Sequence, residues 1–257
     1  MKAILKLLRT NLLAFRLYLL VALVASISYF TFSDAPTWVW LSTLGMYFVY
    51  GCLGVVVTFH RGLTHRSYKT SKILENIFTF LGTLAGTGSS IAWVNMHMLH
   101  HKYSDSIKDS HSPKNGILKM FLLNYNVPNE LTKPAKVLMR DRYHLFLHKY
   151  YNLIHVLVAI TIFGLFGIHI LFGFYVLPML LTALMSNLVN YLGHAHGYRN
   201  FDTKDYSTNS VIAATLSFGE GWHNNHHKYP TSPNFGGHNW WEFDLSYYVI
   251  KLIRSSP

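Results

Sequence analysis

Histidines in four groupings carry the most specific chemical signal in this sequence. HRGLTH holds His60 and His65, HMLHH holds His97, His100 and His101, NYLGH holds Asn190 and His194, and HNNHH holds His223, His226 and His227. On a helix, positions three and four apart share a face, so each HxxHH run aims three imidazoles at one point and Asn190 sits one turn from His194. Neutral imidazole is a good ligand for iron, zinc, copper or nickel. These nine histidines exceed the four ligands that one zinc ion usually takes. They suit two ions with four to five ligands each, with a water held by Asn190. Without metal, so many imidazoles at one place would leave polar groups in need of partners. The other histidines carry less. His144, His148, His155, His169 and His238 read as interfacial polar residues, while His111 and His196 lie beside the clusters, where supporting roles are open.

The elements that must position these residues are apolar helices. The chain has 257 residues, 51% hydrophobic and only 13% charged, against roughly a quarter charged in soluble domains. A membrane span needs about 20 largely apolar residues. Four segments qualify, at about 12–32, 37–59, 151–171 and 174–194, with a tight turn expected near Phe172 to Tyr175. Arg16 lies near enough to one end of its span to snorkel. A signal peptide is rejected, because the first apolar run is long and no small-residue cleavage site follows it. The expected fold is all-α: one integral-membrane domain over 1–257, with four transmembrane helices and a helical cytosolic cap from about 60–150 and 195–257. The cap holds the histidine site. The single cysteine, Cys52, excludes an internal disulfide and any cysteine-rich zinc module; in its apolar run it reads as a packed small hydrophobe.

One segment, Ile73 to Asn95, is ambiguous by hydropathy. With four spans, all 22 Lys and Arg fall on one side of the membrane; a fifth span here would split them into eight before Asn76 and fourteen after it. The positive-inside rule favours four spans, with this segment in the interface or beneath the cap. The four-span arrangement also puts every histidine cluster on one side. GTG at 86–88 has no preceding strand and no following Lys-Ser/Thr, so it is not a phosphate loop. The formal charge of +11 fits a surface against anionic lipid rather than nucleic acid.

These motifs, in this order and with their flanks HRGLTHRSY, HMLHHKYSDSIKDSHSP, NYLGHAHGY and GEGWHNNHHKYP, resemble the membrane fatty-acid desaturases of the acyl-CoA delta-9, stearoyl-CoA-like type. The resemblance runs from about Tyr50 to Phe243. It implies two iron ions, O2 as co-substrate, and removal of two hydrogens from adjacent methylenes to give a cis double bond. Carried over by position, the implied ligands are His60, His65, His97, His100, His101, His194, His223, His226 and His227, with Asn190 holding a metal-bound water and His196 a register rival to His194. Met98 stands where family members often have Arg, DSHSP at 109–113 replaces the commoner DPHSP, and GILKMFLLNYN replaces an aromatic stretch. These departures bear on the acyl carrier, leaving acyl-CoA, acyl-lipid or acyl-carrier-protein open.

For that reaction the metal must be redox-active, which zinc is not. Soluble di-iron proteins use Glu with Glu-x-x-His on helices; here imidazoles take that place. Asp105, Asp109 and Glu220 are candidates to orient histidines through their second ring nitrogen. Trp93 and Trp222 either wall an apolar substrate tunnel or belong to the interfacial aromatic belt. The chain carries no haem loop, iron–sulfur cysteines or nicotinamide or flavin fingerprint, so electrons are expected from a separate small haem cytochrome or ferredoxin. The termini and the site are expected to be cytosolic, in a bacterial inner membrane or an endoplasmic reticulum, the short chain favouring the former. The alternatives are a di-iron alkyl or lipid hydroxylase of related architecture and a metal transporter. The latter should carry polar residues along its spans, where only His155 and His169 are candidates.

Overall fold

A computed structural model describes residues 2–109, 112–113 and 130–255, with the backbone alone for 2–16. His111 and the 116–126 stretch lie outside the described residues. Helix α1 (Lys2–Phe32) is followed by a short turn. Pro36, at φ −65°, then starts α2 (Thr37–Tyr47), which runs without a break into a π-helix at Phe48–Thr64. Helices α3 (Lys72–Leu84) and α4 (Ser90–Tyr103) come next, with Ser71 and Ser89 accepting cap hydrogen bonds from Leu74 and Ala92 N–H. After α5 (Lys133–Leu138) and α6 (Arg142–Lys149), helix α7 (Tyr151–Leu171) passes through a π-helical Phe172–Val176 into α8 (Leu177–Ala195). Three short helices close the cap: α9 (Val211–Leu216), α10 (His223–Lys228) and α11 (Leu245–Ile253). The described residues contain no strand, only two isolated bridges, Tyr198 with Asn209 and Asn209 with Trp222.

Among the described residues, two segments are long and apolar enough to cross a membrane, Thr37–Thr64 and Tyr151–Ala195. The second has 45 residues, about 67 Å if straight, more than twice the roughly 30 Å hydrocarbon core. It is not straight. Gly167 leaves the helical region at φ 79°, a conformation open to glycine at little cost. His155 Nδ1 meets Tyr175 Oη at 2.5 Å across twenty residues, so the chain turns back on itself. The sequence puts this turn at Phe172 to Tyr175. The structure puts the break at Gly167, and Phe172–Val176 instead packs against α2, with Gly173 beside Val39 and Ser42. Leu157, Ile160, Phe163, Leu165 and Phe166 stand exposed along α7, as side chains in contact with lipid would be.

The ambiguous Ile73 to Asn95 segment is two short helices, α3 and α4, with Gly86 and Gly88 at positive φ between them. Gly88 N–H donates to Tyr151 Oη, which ties this connection to α7. Helix α3 lies against the π-helix at a close crossing of glycines: a Cβ on Gly54 would stand 2.4 Å from Gly82 N. Gly54→Ala is therefore expected to destabilise the protein by about 1–3 kcal/mol through overpacking, read as a lowered melting temperature in detergent; an unchanged melting temperature would show that this crossing is not tight.

His144, His148 and His155 do not face the interface. Each is about 1% exposed. His144 and His148 bond Ser90 and Ser89 at the start of α4, and His155 also reaches the Thr83 carbonyl. His169 bonds Tyr29. These rings hold helices together.

Candidate metal centre

The spacing of the first box becomes intelligible in the π-helix. In an α-helix at 100° per residue, positions five apart point about 140° away from each other. A π-helix closes i to i+5 hydrogen bonds, and His65 N–H does donate to the His60 carbonyl. One turn thus brings His60 and His65 together edge to face, with ring centroids 4.9 Å apart. Helix α4 brings His97, His100 and His101, the end of α8 brings His194, and α10 brings His223, His226 and His227. Six residues are too few for a stable isolated helix, and α10 is held by its two asparagines. Asn224 Oδ1 accepts from the N–H groups of Asn200 and Phe201, and Asn225 Nδ2 donates to the Phe235 carbonyl and Glu242. Asn209 Oδ1 accepts from the N–H groups of both. With both asparagines anchored on one side of α10, its three histidines face the other.

The nine histidines fall into two groups, His60, His65, His97, His101 and His226 in one, and His100, His194, His223 and His227 in the other. Within each group the ligand atoms lie within 4.8 Å of one another. In the second group, His100, His194 and His227 donate their Nδ1 protons to Asp109, Asp105 and Asp205. In the neutral, metal-binding form of these rings Nε2 carries the lone pair, and His194 and His100 approach at 3.2 Å and His100 and His227 at 3.3 Å. Lone pairs so close repel unless a cation lies between them. In the first group, Nε2 atoms stand 2.9–3.1 Å apart along His65, His97, His101, His226 and His60. Ligands about 2.1 Å from an ion are separated by about 3.0 Å at a right angle and about 3.4 Å at the tetrahedral angle. The observed spacings fit nitrogens arranged around an ion. Burial, with help from neighbouring imidazoles, holds His97, His101, His223 and His226 well below the usual imidazole range, and burial brings His227 to about 4 although Asp205 opposes it. All five are neutral at neutral pH, the form that binds metal.

Asp105, Asp109 and Glu220 each meet a cluster histidine, Glu220 through His60 Nδ1. Burial disfavours the charged carboxyls of Asp105 and Glu220, but hydrogen bonds and the charges of their partners prevail and hold both below the ordinary range. Asn190 lines a cavity beside the groups. Trp93 lines the same cavity and stacks on His97 at 4.9 Å. Trp222 does neither; it is 2% exposed, packs with Ala214 and Phe235, and donates its indole N–H to the Phe243 carbonyl. It is a core residue of the cap, contrary to either role expected for it. His196 is exposed and lies outside both groups.

Two residues of the centre are absent from the sequence reading. Asp205 sits in a polar loop where nothing in the spacing marks it. Arg61 follows the first cluster histidine, His60, and is fully buried. Its guanidinium donates to Glu220, Asp244 and the Pro233 carbonyl and lies over the Phe235 ring at 4.0 Å. A charged residue between two ligand positions in an apolar run is the signal that could have singled it out.

The cavity is lined by histidines of both groups together with apolar side chains. His60, His97 and His223 stand at one part of it, and Val55, Val56, Met96, Ala183, Met185, Val189 and Phe218 supply apolar walls. The helical fold, its long apolar segments and this site define a membrane-associated protein with a histidine-built metal centre beside an apolar cavity. More specifically, the chain belongs to the fatty acid desaturase family, whose model matches residues 36–250, and so is an oxidoreductase of lipid metabolism. It is 37% identical over 235 residues to an acyl-CoA 5-desaturase of Anemone leveillei, covering 88% of this chain and 71% of that one. It is 36% identical over 213 residues to an sn-1 stearoyl-lipid 9-desaturase of Anabaena variabilis, covering 81% and 78%. It is 34% identical over 227 residues to a delta-9 acyl-lipid desaturase of Arabidopsis thaliana, covering 85% and 73%.

Proposed function

We propose that this protein is an oxygen-dependent di-iron desaturase that introduces a cis double bond into a long-chain fatty acyl substrate, at position 9, on an acyl-CoA or acyl-lipid carrier. The observation that carries this reading is the cavity with apolar walls that is also lined by histidines of both groups. A saturated chain has no polar handle, so only shape can choose which methylenes reach the metals. When bound, two irons supply the oxygen-derived oxidising power that removes hydrogen from an unactivated C–H bond. His60, His65, His97, His101 and His226 hold one ion, and His100, His194, His223 and His227 hold the other, with Asn190 placing a water. Trp93 holds the His97 ring from one side, while the valines of the π-helix and Ala183 and Val189 of α8 confine the chain. Electrons come from a separate haem or iron–sulfur protein docking on the basic cytosolic face. Expression in a host with a defined fatty-acid profile should produce a new monounsaturated acid with its double bond at position 9. A hydroxylated chain instead would make the protein an oxygenase.

The same reading places four crossings in the membrane, at α1, at α2 with its π-helical continuation, at α7 and at α8, with both termini and the site on the cytosolic side. Its support is the one-sided placement of Lys and Arg together with the reversal at Gly167. Cys52 is buried, so introduced cysteines can be labelled without interference. Asp34→Cys is expected to react from outside, and Ser71→Cys and Ile107→Cys, both at exposed positions, from inside. Ser112, in the second box region, is buried and is a poor reporter. Opposite sides for 71 and 107 would mean a fifth crossing and would separate His60 and His65 from the other ligands.

A further inference from the structure

We infer that the two metal positions are unequal by construction: the four-histidine group holds its ion more tightly than the five-histidine group, and Asp205 is a positioning residue of that tighter site. The inference rests on the two-ion reading above. Among the described residues, three of the four imidazoles in the smaller group are backed by carboxylates: His100 by Asp109 at 3.0 Å, His194 by Asp105 at 3.1 Å and His227 by Asp205 at 2.8 Å. In the larger group only His60 is so backed, by Glu220, and that carboxylate is shared with the buried Arg61. His226 Nδ1, in the same group, is buried without a hydrogen-bond partner. The charge around the smaller group is thus three negatives. Beside the larger group the buried Arg61 pairs with both Glu220 and Asp244, two negatives against one positive, and only Glu220 meets a ligand histidine of that group.

An imidazole that gives its second N–H to a carboxylate is a more basic and better-oriented ligand, and losing such a partner typically costs 10–100-fold in metal affinity. The fifth imidazole of the larger group is a stronger donor than the water it replaces, but it adds no charge, and three carboxylate-backed imidazoles against one outweigh it. The carboxylates are themselves fixed. Asp205 accepts from Thr203 Oγ1, Ser207 N–H and Ser207 Oγ, and Asp105 accepts from Tyr206 N–H as well as from His194. The 203–207 loop therefore couples two of the four ligands of one ion.

The test is anaerobic release of ferrous iron from the intact, detergent-solubilised chain to a colorimetric chelator of graded concentration. The wild-type protein should release its two ions in two phases at least about 10-fold apart in affinity. Asp205→Asn should weaken the tight phase by about 10–100-fold and leave the loose phase unchanged, and Asp205→Glu should recover part of the loss. A general loss of structure would instead move both phases together. Two ions released in one phase, or a loose phase that responds to Asp205→Asn while the tight one does not, would overturn the inference while leaving the two-ion centre intact. A wild-type chain that takes up one ion or none overturns the two-ion reading and this inference with it. If Asp205→Asn does not fold, the wild-type release curve and Glu220→Gln, expected to weaken only the loose phase, decide the matter.

Discussion

His226→Ala is expected to abolish unsaturated product, by more than about 100-fold since even a supporting partner of a ligand is worth 10–100-fold, while leaving a folded, membrane-inserted chain. The geometry separates function from folding here unusually well. His226 Nε2 approaches only other imidazoles, His101 at 2.9 Å and His60 at 3.1 Å, and its Nδ1 has no partner. Removing the ring therefore takes one imidazole from the five-histidine group and one contact with Phe235 but no hydrogen bond that holds α10, which Asn224 and Asn225 anchor independently. Iron content should fall toward one per chain. His238→Ala is the control, twelve residues away. Its ring packs beside Phe201 and Tyr229 and belongs to neither group, so most activity and all the iron should remain. A normal iron content in active His226→Ala protein, or an equally dead and iron-free His238→Ala protein, would show that the ligands of this region are misassigned.

Arg61→Ala should be the most destabilising single change near the site that leaves every ligand in place. Arg61 is fully buried, and its loss strands Glu220 and Asp244 as buried negative charges without their cation. Breaking a buried ion pair from one side costs about 3–5 kcal/mol, which for a chain of this size corresponds to a melting temperature lower by on the order of 10 °C. Arg61→Lys should recover only part of this. A single ammonium cannot reproduce the fork of donors that reaches Glu220, Asp244 and the Pro233 carbonyl. Differential scanning fluorimetry of the solubilised proteins measures it; a change within about 2 °C, small against this expectation, would show that the cluster is solvated.

The histidine boxes were legible because their chemistry and their period coincide: an imidazole at three and four residues on a helix can serve only one point in space. The partnerships of Asp105, Asp109 and Glu220 were legible because they lie within a few residues of a box. Asp205 was not. It meets His227 only through the path of a loop with no regular period, so no spacing in the sequence reports it. Arg61 was overlooked for a related reason, since its two carboxylate partners are more than 150 residues away in the chain. The five-residue spacing of His60 and His65 was read as part of a box, but its geometric sense depends on a π-helix, and hydrophobic periodicity does not distinguish a π-helix from an α-helix in a fully apolar run. The turn at Gly167 was misplaced by several residues because the whole 151–195 stretch lacks charge, and hydropathy has nothing there to mark a boundary. Trp222, grouped with the site by its position next to His223, is turned away from it, since neighbours on a helix start point to different faces.

The central claim is that nine imidazoles form one redox-active two-ion centre, and elemental analysis of purified protein, scored only on preparations that desaturate a fatty acyl substrate, tests it most directly. Activity must be the criterion because affinity generally ranks zinc above ferrous iron, so an overproduced inactive sample can carry zinc by mass action alone. The account predicts close to two irons per chain, with activity proportional to iron. Active protein holding a single tightly bound zinc and no iron would contradict it.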